Sequence, residues 1–334
     1  MKRRIYSPSD NTTSAKKSGR HESPEEIIRS SETDSIDHIC RRIVNLKRKV
    51  NDKSAFNDIR NNIRNDVCEI LDAISSQLGG LSAEAITQIE KRLPGTIKVI
   101  AVAACSNRAH AMNAISRQLG ELNIEAITQI ENKAPGTIRM IAACKDHAHV
   151  LNAMSSKLGG LSAQIILRIE NKEAGTIRGI ALCAVAGHPH ALNAISSRLA
   201  RLTVQDIESI EGACSETLKS IVRAAAKGFG CALDALSSKW GQLSLPCIES
   251  VAAKAPYEIT VPLVEAARMG YETALIATIK KLIFANETIP NTNGRLSRLI
   301  EGLETPMIDH FNNEKPENKF GGKLWLLRVA TEAG

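Results

Sequence analysis

Apolar residues along this chain come in short bursts with helical spacing, and the bursts recur. In one copy they fall at Ile86, Ile89 and Leu93, and in the next at Ile127 and Ile130. Such spacing puts them on one face of a helix. A second burst, with Ile97, Ile100 and Ala101, follows Pro94-Gly95. A third places Leu192, Ile195 and Leu199 at i, i+3 and i+7, with equivalents in other copies. The first helix opens at Ser82, Asn123, Ser162, Thr203 or Ser244, all residue types that cap helix N-termini. Pro94-Gly95 and Pro135-Gly136 end it, with the proline suited to the start of the second helix. The third helix runs to Gly79-Gly80, Gly120, Gly159-Gly160 or Gly241, where a left-handed C-cap is expected.

The polar signature of the third helix keeps the same time. Asp72-Ala73-Ile74-Ser75 returns from Asn113, Asn152, Asn193 and Asp234, in steps of 41, 39, 41 and 41 residues. The short step arises from two residues missing before His149. A period in this range means stacked units that bury their apolar faces on one another. The pattern predicts an all-α fold: a right-handed α-solenoid of about six three-helix repeats of 39–42 residues. A polar leader is expected over 1–37, where too little apolar surface exists to offset the entropy of ordering. A degenerate capping repeat follows at 38–80, the array at 81–284, and a C-terminal cap and tail at 285–334.

Composition narrows the function classes. Aromatic residues make up only 3% of the chain, which disfavours a β-sandwich or barrel. The net charge of +7 is uneven: residues 1–60 hold 14 Lys+Arg against 9 Asp+Glu, and the rest 29 against 27. A solenoid that wraps duplex DNA is more often basic along its length. The eight cysteines include no close CxxC pair, and buried reduced thiols are expected. No apolar run is long enough for a membrane span, and the N-terminus lacks the apolar core of a secretory signal.

Candidate chemistry lies on the third helix. His110, Asn113 and Arg117 sit at i, i+3 and i+7, as do His149, Asn152 and Ser156, then His190, Asn193 and Ser197, and finally Cys231, Asp234 and Ser238. Each set shares one helix face, and stacking aligns the sets into ladders. An amide ladder can hydrogen-bond the backbone of an extended peptide. Alternatively, Asn and His bond to neighbouring units and hold the stack together. Lys98, Arg139, Arg178 and Lys219 form a basic row, a candidate for phosphate or nucleic-acid contact. A second basic row, Arg117, Lys157, Arg198 and Lys239, lies near the third-helix end, with Arg117 one residue early. Glu90, Glu131, Glu170 and Glu211 form an acidic row close by, and opposite charges in register read as a solvated, mutually screened surface. One histidine per unit, about 10 Å from the next, cannot converge on a metal ion. No Walker A, Rossmann glycine, GxSxG or HExxH motif is present. The expectation is a non-enzymatic chain without metal or cofactor. Lys2-Arg3-Arg4 and Lys16-Lys17 with Arg20 resemble a bipartite nuclear localisation signal, read by an import receptor.

Three helices in about 41 residues resemble an armadillo or HEAT unit over residues 40–284. Armadillo proteins hold extended peptides through third-helix asparagines, so the resemblance implies a partner protein or peptide on Asn113, Asn152, Asn193 and Asp234, with His110, His149 and His190 beside them. Eleven Ser+Thr and no Cys in the first 35 residues are similar to the export signals of type III secreted bacterial proteins. Ser155-Ser156-Lys157-Leu158, Ser196-Ser197-Arg198-Leu199 and Ser237-Ser238-Lys239-Trp240-Gly241 resemble the signature of the SKWP-repeat effectors, with Trp in one copy and Pro in none. That resemblance implies secretion into a eukaryotic host cell and a role in virulence. His190 to Leu199 also looks like the long helix of a TAL-effector repeat, after loops that differ between copies: Ser106-Asn107-Arg108, Lys145-Asp146-His147 and Gly187-His188-Pro189. This second resemblance implies DNA binding in the nucleus, although a one-base-per-repeat reader needs a constant period.

Overall fold

A computed structural model describes residues 36–44, 59–106, 108–144, 147–252, 262–263 and 265–288. Among these residues every regular element is helical and no strand occurs. Helices at 36–44 (α1) and Ile59–Gly79 (α2) precede four triplets. They are Ala83–Arg92 (α3), Thr96–Ala104 (α4), His110–Glu121 (α5); Ile124–Lys133 (α6), Thr137–Ala143 (α7), Ala148–Gly160 (α8); Ala163–Lys172 (α9), Thr176–Val185 (α10), His190–Leu199 (α11); and Val204–Ala213 (α12), Thr217–Ala226 (α13), Cys231–Trp240 (α14). Leu245–Ala252 (α15), a short stretch at 265–268 (α16) and Thr273–Thr288 (α17) follow.

The helices pack consecutively, as in a solenoid. Third helices form one continuous row, α2 on α5, α5 on α8, α8 on α11, α11 on α14 and α14 on α17. Second helices form another, α4 on α7, α7 on α10 and α10 on α13. Successive first helices meet far more sparsely. One apolar core runs through the stack from Ile36 to Leu275. Its residues are mainly Ile, Leu and Ala, whose compact side chains allow close helix approach. Trp240 is the large exception: it is buried, and its indole N–H donates to Thr278 Oγ1 at 2.8 Å.

Each first helix begins where expected. Ser82, Asn123, Ser162 and Thr203 accept the backbone N–H of Ala85, Ala126, Ile165 and Asp206, at 3.1, 2.7, 3.2 and 3.1 Å. These bonds satisfy amides that the helix itself leaves unpaired. The second helix begins one residue beyond the glycine, at Thr96 rather than at the proline. Gly95, Gly136 and Gly175 are its N-caps, with φ of 87°, 83° and 95°. Glu216 holds the same left-handed geometry, with φ of 73°, in the fourth triplet.

The acidic row is not a solvated surface. Glu90, Glu131, Glu170 and Glu211 are 1–3% exposed. Each carboxylate spans the turn between first and second helix. Glu131 accepts Gly136 N–H at 2.5 Å and Ile138 N–H at 3.0 Å. Glu170 does the same for Gly175 and Ile177 at 2.5 and 2.9 Å, and Glu211 for Glu216 and Leu218 at 2.8 and 2.9 Å. Glu90 accepts from Gly95 and Ile97. The negative charge thus faces the positive end of the second helix. Beside it the buried Thr96, Thr137, Thr176 and Thr217 donate back to Leu93, Ala134, Glu173 and Cys214 carbonyls, at 2.7, 2.6, 3.1 and 2.8 Å.

The third-helix glycines also depart from expectation. Gly79, Gly120, Gly159 and Gly241 are not left-handed, and α5 and α8 continue past them to Glu121 and Gly160. A Cβ on Gly120 would lie 3.0 Å from Ala153 O and 3.2 Å from Ala153 Cβ. One on Gly159 would lie 3.1 and 3.3 Å from the same atoms of Ala194. These glycines let successive third helices approach. The left-handed C-terminal turns come instead after the second helix, at Gly187, Gly228 and Gly270. There His188, Phe229 and Tyr271 N–H reach back to Cys183, Ala224 and Ala266 O at 3.1, 3.0 and 3.0 Å, which is a Schellman closure. The two-residue deletion falls at the same place in the second triplet. α7 is the shortest helix of the triplets, and His147 N–H closes onto Cys144 O at 2.9 Å.

Replacing Glu131 by Ala strands two amides of the turn. Each orphaned donor costs about 1–3 kcal/mol, which a urea unfolding midpoint will show. Burial raises the pKa of Glu131, Glu170 and Glu211 above the usual carboxylate range, outweighing the amides that lower it. Stability from such a group is fullest below its unfolded pKa and is lost as pH rises through its folded pKa. The gap in stability between wild type and Glu131→Gln therefore narrows as pH rises above the usual carboxylate range and through the raised folded pKa. A widening gap contradicts the sign.

Candidate interaction surface

The third helices divide their residues cleanly. Ala111, Met112, Ile115 and Leu119 are buried, as are Val150, Leu151, Met154 and Leu158, Ala191, Leu192, Ile195 and Leu199, and Ala232, Leu233, Leu236 and Trp240. The opposite face carries the predicted stripe. His110, Asn113, His149, Asn193, His190, Cys231 and Asp234 are exposed, and Asn152 is half-buried. Because third helices stack on third helices, these positions line up from α5 to α14.

The recurring Asn-Ala-Ile-Ser phrase now separates into roles. The serine is structural: Ser116, Ser155, Ser196 and Ser237 Oγ donate to the carbonyl three residues back, at 2.9, 2.8, 2.7 and 2.7 Å. Such back-bonding keeps a short polar side chain inside a helix. The alanine is the contact surface for the preceding unit's glycine. The isoleucine or its equivalent is core. The asparagine is exposed in α5 and α11, as Asn113 and Asn193, and half-buried in α8, as Asn152. Asn152 Oδ1 is enclosed and has no hydrogen-bond partner among the described residues.

The loop residue five positions before each outward Asn or Asp supplies a neighbouring row that sequence reasoning noticed only as loop variation. Those residues are Arg108, His147, His188 and Phe229. Arg108 reaches back to Asp72 on α2 at 3.2 Å. His147 meets His149 edge-on, with ring centroids 6.2 Å apart. Desolvation, then the charges of His147 and His188, lower the His149 pKa. His149 is therefore neutral at pH 7, a donor through one ring nitrogen and an acceptor through the other. Desolvation raises the Asp234 pKa at the far end of the stripe. Among the described residues no three His, Cys, Asp or Glu side chains are grouped to hold a metal ion, and no helix is long and apolar enough to cross a membrane.

The basic row occupies a different place. Lys98 Nζ donates to Pro135 O at 2.5 Å. Arg139 bonds Glu173 Oε1 at 2.7 Å and Ala174 O at 3.2 Å. Arg178 pairs with Glu216 at 2.7 Å, and Lys219 with Glu216 at 3.3 Å. The first three side chains each reach from one second helix to the next unit's turn. The second basic row forms joints at Arg198 and Lys239. Arg198 donates to Gly159 O at 2.7 and 3.1 Å, Lys239 donates to Ala200 O, and Gln118 fills this position in α5 by donating to Gly79 O and Leu81 O at 2.9 and 3.0 Å. These donors meet the negative end of the preceding third helix. Arg117, one residue early, points to solvent and pairs with Glu121 at 3.0 Å. The Lys2-Arg3-Arg4 and Lys16-Lys17-Arg20 clusters lie outside the described residues.

In comparison with known proteins, no family model, no curated protein and no solved structure matches this chain.

The stripe's alignment depends on the Gly–Ala approach. Gly159→Val pushes α8 from α11 and lowers stability by about 1–3 kcal/mol, read as a drop in Tm. Gly212→Ala, where an added Cβ meets nothing within 4 Å, leaves Tm unchanged or slightly higher.

Proposed function

We propose that the chain is a non-enzymatic scaffold, a right-handed α-solenoid of about six units, that binds a partner protein as an extended segment along its third helices. The observation that carries this reading is the stripe of His110, Asn113, His149, Asn152, His190, Asn193 and Asp234. It is in register and exposed except at the half-buried Asn152, and at its centre burial and neighbouring imidazoles lower the His149 pKa. The amides, with the neutral imidazole of His149, match the alternating donors and acceptors of a peptide backbone. The tighter packing of second and third helices, against sparse packing of first helices, supports a concave side on the third-helix row. Export from a bacterium into a eukaryotic host, with entry to the nucleus, is the biological setting favoured by the Ser/Thr-rich leader and its basic clusters.

DNA binding is the competing reading, favoured by the variation among Arg108, His147, His188 and Phe229. It is weakened by the bonding of Lys98, Arg139 and Arg178 to neighbouring turns. Panning a random peptide library on the full chain is expected to enrich a family of extended peptides. Asn152→Ala with Asn193→Ala weakens their binding at least about tenfold with no change in Tm. The same chain shows little affinity for a 20-base-pair duplex. Peptide binding unchanged in the double variant sinks the ladder. Duplex binding at low micromolar Kd that falls steeply with salt establishes the rival.

A further inference from the structure

Two thiols meet at the joint between the first and second triplets. Cys105 is the C-cap of α4 and Cys144 the C-cap of α7. Their sulfurs lie 2.6 Å apart, although neither is in a disulfide. The separation exceeds a disulfide bond by only roughly half an ångström. Cys105 is exposed, whereas Cys144 is buried, its Sγ 3.0 Å from Ala101 O and 3.2 Å from Met140 O. One sulfur is thus open to a solvent-borne oxidant, and the other waits behind it in position to resolve the product. Cys183 follows on α10, fully buried.

We propose that Cys105 and Cys144 form a peroxide-responsive pair whose disulfide staples α4 to α7. Cys105 loses its proton, and its sulfur attacks the O–O bond of hydrogen peroxide. One oxygen stays on sulfur as a sulfenic acid, and the other departs as hydroxide and takes up the released proton. Cys144 sulfur then attacks the sulfenic sulfur. The S–S bond forms, the S–O bond breaks, and the departing hydroxide leaves as water with the Cys144 proton. Two thiols and one peroxide give one disulfide and two waters. Peroxide is reduced and both sulfurs are oxidised. An exposed attacking thiol beside a resolving cysteine is the arrangement of a redox-sensitive pair. The bond closes a loop of about 40 residues and fixes the angle between two units at the junction where α7 is shortest.

The test treats the full-length protein with a slight excess of hydrogen peroxide, blocks remaining thiols, and maps tryptic peptides without reduction. The expected product is a linked pair containing Cys105 and Cys144, two hydrogens lighter than the reduced peptides. Tm rises by roughly 5–10 °C and returns on adding dithiothreitol. Cys105→Ser, a surface change, abolishes both the link and the Tm shift. Cys144→Ala leaves Cys105 as a sulfenic acid that dimedone captures. Peroxide that carries Cys105 to sulfinic acid while Cys144 stays alkylatable after unfolding overturns the proposal. So does a link from Cys144 to Cys183 in place of Cys105.

Discussion

Each of the four triplets hinges on a buried carboxylate. The first and second helices of a triplet are separated by three residues, and the chain must reverse there inside the stack. That leaves backbone amides with no helical partner in a place water does not reach. Glu90, Glu131, Glu170 and Glu211 close the gap, each gripping two amides of the following turn. The glycine φ values, the buried threonines and the direction of the second helix all follow from that grip. Glu216 shows how strongly the turn is specified. A non-glycine residue accepts a left-handed backbone there, at a conformational cost glycine avoids. Its carboxylate in return receives Arg178 and Lys219.

Joints between units use a second set of bonds that run in both directions along the stack. Lys98, Arg139 and Arg178 reach forward to the next turn, while Gln118, Arg198 and Lys239 reach back to the previous helix end. The two ion pairs among them, Arg139–Glu173 and Arg178–Glu216, are partly exposed and each weak. Their importance lies in register: they fix which turn sits under which side chain. The Gly–Ala contacts set the distance between third helices, so the outward Asn and His fall into line without bonding one another.

Much of the fold was legible because its signals are local. The N-caps Ser82, Asn123, Ser162 and Thr203 act within three residues, and helical spacing marked the core face of every third helix. The glutamate row was not legible, because nothing in a short window tells a buried carboxylate from a solvated one. Only the fold of the turn over it decides. The third-helix glycines misled for a different reason. Glycine serves both left-handed turns and close approach, and the deciding atom, an alanine such as Ala153, lies 33 residues away. The outward stripe was legible as a face, but the inter-unit bonding of the basic row was not, since each partner sits more than 30 residues along the chain.

The uneven packing of the three rows has a mechanical consequence. Second and third helices are stitched unit to unit, while first helices barely touch. A rod bound firmly along two lines and loosely along a third bends most easily about the bound lines. The array is in effect a spine: its compliance sits in the gaps between first helices, and flexion widens or narrows those gaps without breaking the stitched rows. Curvature of the whole stack can then change while the spacing of the polar stripe stays nearly constant from one unit to the next.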